Sequence, residues 1–326
     1  TLAPGSQTTF VLRFSALLAM STAVSGCVEH GRLIGTIASA LTPSPTFPED
    51  EPALSADDHA VLCRLTYGPS LDDRRRMAAI GRLAWLEEQL AHESLDDSAT
   101  DVLLSAYPSL RMSPSDLIDL SDKLFDEQDR LTVPTELRQA TLMRRLTSRR
   151  QLYERTVEFW TDHFSISVDK GDCCYFKTVD DRDVIRRHAF GRFSDLLSAS
   201  AHSPAMLVYL DNQANRSGAP NENYARELME LHTLGIDGGY SQGDVEELAR
   251  CLTGWTVKDR FWRGQFRFDS RLHDAGVKRL LGRTLEPRGE EEGELVLGLL
   301  AKHPSTARHL ARKLARRFLR DDPPAD

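Results

Sequence analysis

The side chains best suited to chemistry are concentrated in one polar segment near the middle of the chain. Between positions 221 and 232 lie seven such residues: Asn221, Glu222, Asn223, Arg226, Glu227, Glu230 and His232. Carboxylates and imidazoles are the groups that proteins use to bind metal ions and to transfer protons. We therefore predict a polar pocket here. Its candidate catalytic groups are Glu227, Glu230 and His232. Its candidate binding residues are Asn221, Glu222, Asn223 and Arg226.

Two histidine segments elsewhere could contribute to the same pocket. His163 stands in the sequence WTDHF, and His273 is followed by Asp274 in HDAGVK. His273 and Asp274 are further catalytic candidates, because a carboxylate beside an imidazole can orient it. The candidate ligands for a divalent metal ion are His163, His232 and Glu227. Two tryptophans complete the candidate binding residues: Trp160 and Trp255.

The spacing of these residues also fits a structural role. Glu227 and Glu230 share a helix face, but Glu230 and His232 are two positions apart and lie on different faces. The pattern does not match the HExxH arrangement of zinc proteases. In the structural alternative, the Asn and Glu side chains satisfy backbone groups of long buried loops. His163 would then lie in the last turn of a helix, stabilised by the helix dipole. For His273, an oriented imidazole and an ordinary loop residue are both open.

Start and stop signals predict two helices around the polar segment. The first covers 221–234, with its first residue as the N-cap and Gly235 as a left-handed C-cap. The second covers 241–253 and begins with a capping box formed by Ser241 and Asp244. These two helices would position the candidate groups.

The rest of the sequence predicts a mainly α-helical body with many helices and long loops. Apolar residues recur at three-to-four spacing in the other predicted helices, which cover 55–67, 72–91, 114–127, 134–162, 180–201, 203–210, 291–302 and 305–319. The long loops lie near 165–178 and 258–289. Strand signals are sparse, so we expect at most one short β-hairpin, with a strand within 263–271.

The central block also carries a family resemblance. NENYARELMELHTLGIDGGY, followed by DVEELARCLTGW, resembles the signature of the bacterial "domain of unknown function 1800" family. Shorter segments fit the same pattern, among them RLTYGP (64–69), HSPAMLVYLDN (202–212) and HPSTA (303–307). The resemblance runs from about Ala56 to the last residue and implies no particular reaction. Family members usually continue past the equivalent of Pro323, so a C-terminal helical portion is expected to be missing.

The resemblance also suggests a partner. Genes of this family often lie beside those of a second family, "domain of unknown function 1501", which resembles alkaline-phosphatase-like and sulfatase-like proteins. A protein partner of that class is therefore an expectation from the resemblance alone.

Residues 1–27 are predicted to be an export segment. An apolar run over 14–24 leads into Val-Ser-Gly-Cys, which resembles a bacterial lipobox. The run is too short to span a bilayer and suits the core of a signal peptide. Cys27 would then be lipidated and would anchor the protein to a membrane outside the cytoplasm, in the periplasm or at the cell surface. The alternative is a buried helix with a free cysteine. A Pro-rich linker (28–55) would lead to a helical domain (56–326).

Composition and motifs restrict the classes of function. With 326 residues, 40% hydrophobic and 28% charged, the chain resembles ordinary globular proteins. Its net charge of −8 argues against general nucleic-acid binding. Runs of arginine near 74–76, 144–150 and 312–320 are interpreted as solvated helix faces. No phosphate-binding loop, dinucleotide glycine pattern or nucleophile elbow is present, and the five cysteines lack zinc-ligand spacing.

Two hypotheses about function follow. In the first, the protein is exported, lipid-anchored and helical, and acts as a partner or scaffold for a phosphatase-like or sulfatase-like protein. In the second, it is an extracytoplasmic hydrolase, with or without a divalent metal, in which the Glu and His candidates converge in one concave pocket.

Overall fold

The computed structural model describes residues 52–123, 131–258 and 264–323. Within these ranges the protein is mainly α-helical, as predicted. The α-helices are α1 (Ala56–Leu65), α2 (Leu71–Ile80), α3 (Arg82–Leu90), α4 (Ser98–Leu104), α5 (Pro114–Lys123), α6 (Thr132–Thr147), α7 (Gln151–His163), α8 (Cys173–Val179), α9 (Phe193–Ala201), α10 (Pro204–Tyr209), α11 (Asn223–Glu230), α12 (Gln242–Cys251), α13 (Glu290–Ala301) and α14 (Pro304–Phe318). The predicted export segment, including Cys27, and most of the predicted linker lie outside the described residues.

Local capping signals in the sequence place several helix starts. Ser55 accepts a hydrogen bond from the backbone N–H of Asp58, at 3.1 Å, where α1 begins. Ser241 and Asp244 form the predicted capping box at the start of α12. Such side chains satisfy amide groups that the first helical turn leaves without a partner.

Two predicted helices are interrupted, each for a physical reason. The helix predicted over 72–91 breaks at Gly81, whose φ of 82° is left-handed. The helix predicted over 134–162 breaks between α6 and α7, where Asp97 accepts hydrogen bonds from the Ser148 hydroxyl and the Arg149 backbone N–H, both at 2.8 Å. The carboxylate of Asp97, the residue directly before α4, therefore holds the turn at which α6 ends.

The segment around residue 180 also departs from prediction. Half of the loop predicted near 165–178 is helix α8, which continues directly into a π-helix over Asp180–Arg186. Short π-helical segments inside longer helices are rare and are frequent near functional sites. The helix predicted over 180–201 therefore consists of this π-helix and α9.

Two short antiparallel hairpins lie at and within the segment predicted as the second long loop (258–289), where at most one was expected; strand β1 lies directly before that segment. Strand β1 (Trp255–Val257) pairs with β2 (Phe266–Phe268), which falls within the predicted strand. Strand β3 (Lys278–Leu280) pairs with β4 (Arg283–Leu285). The second hairpin was not predicted, because three-residue strands carry too little alternation to be recognised.

The main hydrophobic core surrounds the central block. Residues from α7 to α14 form one cluster, and Trp255 is fully buried in it. A β-carbon placed on Gly293 would lie 2.3 Å from Cζ2 of Trp255, so α13 packs directly on the indole ring. Residues Ala53–Asp326 form one compact unit. None of the described helices is both long enough and apolar enough to cross a membrane.

Candidate functional site

The first helix of the central block, α11, is shorter than predicted at both ends. Asn221 is not its N-cap; that position belongs to Glu222, whose side chain makes no capping bond. The Asn221 side chain instead accepts a hydrogen bond from the Asn223 backbone N–H at 3.0 Å. At the other end, the backbone N–H groups of Leu231 and His232 both donate to the carbonyl of Glu227, which opens the last turn. Gly235 then takes a left-handed φ of 84°, as predicted.

Asparagine side chains connect the loop before α11 to the end of α12. Asn215 donates to the Ala249 carbonyl at 2.8 Å, and Asn212 donates to the Trp255 carbonyl at 3.0 Å. Asn215 also accepts from the Asn221 backbone N–H at 2.9 Å. The candidate binding residue Asn223 donates to the Leu210 carbonyl at 3.2 Å. These bonds match the structural alternative, in which the amides satisfy buried backbone groups.

The exposed side of α11 carries a small polar network. Arg226 forms an ion pair with Glu222 at 2.8 Å, as their four-residue spacing predicts. Gln242, at the start of α12, donates to the same Glu222 oxygen and accepts from Arg226, at 2.8 and 2.9 Å. This network links α11 to α12 at the surface.

The two candidate catalytic carboxylates lie together, but without their predicted histidine. Burial and the neighbouring charge of Glu230 raise the pKa of Glu227. His232 is buried among aromatic rings, with the centre of its ring 5.0 Å from that of Phe164. Burial and the Lys313 charge lower the pKa of His232 to about 3. The predicted group of Glu227, Glu230 and His232 is therefore divided between the surface of α11 and the core.

His163 and His232 are neighbours in a buried histidine cluster with Lys313. The ring centres of the two histidines are 6.0 Å apart. His163 donates through Nε2 to the His232 carbonyl at 3.0 Å and accepts at Nδ1 from the Lys313 ammonium group at 2.8 Å. Burial and the charge of Lys313 hold the pKa of His163 well below its usual value. His163 lies in the last turn of α7, as predicted, and in its neutral form it gains little from the helix dipole.

His273 and Asp274 belong to a second cluster and have different partners. His273 donates through Nδ1 to the Thr253 carbonyl at 2.9 Å, and its Nε2 lies 3.3 Å from a Glu292 oxygen. Asp274 accepts two hydrogen bonds from Arg250, at 3.1 and 3.0 Å. Arg250 thereby lowers the pKa of Asp274 to about 2. Asp274 is thus held by Arg250, while Thr253 and Glu292 flank the imidazole of His273.

A fully buried ion pair forms the centre of this second cluster, and sequence reasoning missed it. Lys278 and Glu292 are both 0% exposed, and their charged atoms are 2.5 Å apart. Glu292 also accepts hydrogen bonds from the backbone N–H groups of Arg288 and Gly289 at the start of α13. Burial opposes ionisation of Glu292, but the bonds from Lys278 and Arg288 hold its pKa below the usual value.

The predicted metal ligands do not form a site in the structure. Across residues 52–123, 131–258 and 264–323, no group of three or more His, Cys, Asp or Glu side chains is arranged to hold a metal ion. His163 and His232 adjoin, but Glu227 is not part of their cluster. The expected convergence of the Glu and His candidates in one pocket is not observed, so the geometry gives the hydrolase hypothesis no support.

The candidate binding tryptophans are core residues. Trp160 is 7% exposed and donates through its indole N–H to the Ala189 carbonyl at 3.0 Å. Trp255 is 0% exposed and stacks near His202, with ring centres 4.6 Å apart. Both tryptophans are part of the hydrophobic core.

The protein is helical. Two kinds of interaction stabilise its centre: hydrogen bonds from asparagine side chains, and two buried clusters of charged and histidine side chains. The chain belongs to the family described as Protein of unknown function (DUF1800), whose model matches residues 60–326. This confirms the resemblance of the central block. No curated protein and no solved structure matches the chain.

Proposed function

We propose that the protein acts outside the cytoplasm as a lipid-anchored binding partner of another protein. The observation that carries this proposal is an exposed apolar loop directly after α11, in the block with the family signature. Its Ile236 side chain is 73% exposed and that of Leu231 is 45% exposed. Large apolar side chains that are exposed on an ordered surface are available for contact with another protein.

The loop, residues 231–237, packs against α14. His309 is hydrogen-bonded to the Leu231 carbonyl at 3.3 Å. A β-carbon on Gly235 would lie 2.9 Å from Nδ1 of His309, so the backbone and the imidazole are in close contact. The exposure of Ile236 is therefore set by the packing of its own loop. A preordered loop loses less conformational entropy when it binds than a mobile one.

The surroundings of the loop indicate what kind of surface would bind it. A hollow of about 270 Å³ lies between the loop and α14 and is lined by Ile236, Arg308 and Arg312, with Asp237 beside them. An apolar centre with a charged rim is the usual composition of a protein interface. The complementary surface would present an apolar pocket with acidic residues around it.

The partner that we propose is a protein of the "domain of unknown function 1501" family, phosphatase-like or sulfatase-like. This choice follows from the gene neighbourhood of the family. The charge of the loop surface supports a protein partner with an acidic rim, and the burial of His163, His232 and His273 supports binding rather than catalysis.

Replacing Ile236 with aspartate should weaken binding to that partner by at least about tenfold, because it places a charge at the apolar centre of the interface. The measurement is biolayer interferometry with the purified neighbouring protein. Val102→Asp is the matched control, because Val102 is 70% exposed on α4. The proposal fails if the unaltered protein does not bind, or if both variants bind equally well.

Replacing Cys27 with serine should abolish lipid labelling and release the protein from membranes. The expectation comes from the lipobox-like sequence, because only a cysteine thiol at that position can be acylated by the lipoprotein pathway. The measurement is incorporation of labelled palmitate by cells that express the full gene, followed by membrane fractionation. Cys63→Ser, which removes an exposed cysteine on α1, should label normally. Normal labelling of the Cys27 variant would contradict the anchor.

A further inference from the structure

Tyr67 stands between two arginines at one end of a cleft. It comes from the RLTYGP segment between α1 and α2, and its hydroxyl donates to the Glu154 carbonyl at 3.1 Å. The guanidinium carbons of Arg145 and Arg155 lie 5.0 and 5.1 Å from the centre of its ring. At these distances the ring attracts both cations.

Three arginines converge on one carboxylate beside this ring. Arg145 binds one oxygen of Glu158 at 2.8 Å, and Arg155 binds the other at 3.2 Å. Arg317, from α14, also binds that second oxygen. Positive charge therefore exceeds negative charge around Glu158. Consistent with this, burial and the charge of Arg317 lower the pKa of Arg155.

The guanidinium groups also have more donors than Glu158 can satisfy. The Nε–H groups of Arg145, Arg155 and Arg317 are buried without a hydrogen-bond partner. A guanidinium offers five N–H donors, whereas one carboxylate offers two oxygens. The cluster therefore has fewer acceptors than donors, and unpaired buried donors cost free energy.

Of the three arginines around Glu158, Arg145 is the one that lines the cleft. Its side chain is 37% exposed, against 17% for Arg155 and 27% for Arg317. Because Arg155 and Arg317 both hold the other oxygen of Glu158, Glu158 keeps two partners if Arg145 turns to a ligand. Arg138 lines the same cleft from two turns earlier on α6.

The rest of the cleft is apolar or internally neutralised. Its volume is about 410 Å³, and its lining includes Leu142, Val157 and Ile166. Leu142 is 44% exposed there. The acidic groups Glu154 and Asp181 are both paired with Arg186 at 2.8 Å, and Arg144 adds a second positive charge near Asp181, so nearby cations offset both carboxylates. The remaining acidic group, Asp162, lies at the exposed rim.

We infer that this cleft binds an organic oxyanion, with its phosphate, sulfate or carboxylate head on Arg145 and Arg138 and its apolar body against Leu142 and Ile166. Guanidinium groups bind all three heads through paired N–H···O bonds. The site lies between α6 and α7, is formed by residues other than those of the loop at 231–237, and does not depend on the proposed partner.

Isothermal titration of the full chain with phenyl phosphate, phenyl sulfate and benzoate tests the inference. At least one of these should bind about tenfold more tightly than inorganic phosphate or sulfate, because the phenyl ring covers the apolar lining. The tightest of the three identifies the head group. If none of them shows saturable binding at concentrations up to about 10 mM, at which even a weak site would be occupied, the inference is overturned.

Variants with opposite expected effects make the test specific. Arg145→Met should weaken the tightest probe about tenfold or more, whereas Glu158→Gln should tighten it severalfold, because it removes the carboxylate that competes with the ligand. Arg283→Met, an exposed arginine on β4, is the control and should change nothing. Weaker binding by Glu158→Gln, or an equal loss in the Arg283 variant, would contradict the site. If the Arg145 variant does not fold, the tighter binding expected of Glu158→Gln still tests the site.

Discussion

Replacing Lys278 with methionine is expected to cost about 3–5 kcal/mol of unfolding free energy, because it leaves the carboxylate of Glu292 buried without its cation. Both residues are 0% exposed, so water cannot take over the role of Lys278. The two backbone N–H groups at the start of α13 offset only part of the loss. Urea denaturation measures the change.

Two further variants separate the ion pair from simple loss of packing. Lys278→Met combined with Glu292→Gln removes both charges, so it should be less destabilised than the single Lys278 variant. Arg226→Met breaks the exposed pair with Glu222 and should cost no more than about 1 kcal/mol. A Lys278 variant as stable as the Arg226 variant would show that the buried pair contributes little.

The pH dependence of the Lys278 variant follows from the same pair. Without Lys278, burial is expected to raise the pKa of Glu292 above its value in the unfolded chain. The folded variant then gains a proton more readily than the unfolded chain, so its deficit relative to the unaltered protein should shrink as the pH falls from 8 toward 5. A deficit that is constant over this range would point to packing as the cause.

The sequence predicted well those features that depend on close neighbours along the chain. The caps at Ser55 and Ser241 involve residues three positions away, and the turn at Gly235 depends on a single residue type. The mainly helical class was also predictable, because apolar spacing repeats over long segments.

Features set by distant residues were not predictable. The break between α6 and α7 depends on Asp97, which is 51 residues from Ser148. Periodicity continues across that break, so the pattern alone gives one long helix. In the same way, the sequence predicted that asparagine side chains would bond to buried backbone groups. It could not identify the acceptors, such as the Ala249 carbonyl, which is 34 residues from Asn215.

In the candidate site, too, the residue types were predictable from the sequence but their distant partners were not. The residue types that matter were found, since His163, His232, His273 and Asp274 all lie in buried or paired clusters. Their partners were not found, because Lys313 is 150 residues from His163. Lys278 gave one signal: it lies in the short run VKRL, where its neighbour Leu280 is buried. A lysine on the same face of a strand as a buried leucine implies a buried acidic partner, but identifying Glu292 requires the fold.

Acidification is expected to destabilise the protein strongly between about pH 6.5 and pH 4, because His163 and His232 are buried in their neutral forms. The pKa of His232 is lowered to about 3 and that of His163 well below 6.5, by burial first and then by Lys313. An unfolded histidine takes up its proton near pH 6.5. The unfolded state therefore binds more protons in this range, and stability present above pH 6.5 is lost as the pH falls.

The magnitude of this effect is large for a domain of this size. Each such histidine contributes a slope of roughly 1.4 kcal/mol per pH unit inside the window. For His232, whose pKa in the folded protein is about 3, the unfolding free energy should fall by about 2 kcal/mol between pH 6.5 and pH 5, and His163 adds to this loss because its pKa is lowered as well. Both side chains are less than 5% exposed, so solvent screening reduces this only slightly. Other charged groups at the cluster are Lys313 and His309, both on α14, and Asp162 on α7.

Replacing His232 with phenylalanine should remove about half of that slope while preserving the fold, because the residue packs against Phe164 and its Nδ1 has no hydrogen-bond partner. The measurement is the unfolding free energy in urea at several values between pH 7 and pH 5.

His202 provides a control of opposite sign. Burial alone would lower its pKa, but the hydrogen bond to Glu294 raises it, so its contribution is present at low pH and lost at high pH. His202→Gln should therefore steepen the acid loss that His232→Phe reduces. Equal slopes in the unaltered protein and the His232 variant would mean that His232 is protonated in the folded state as readily as in the unfolded one.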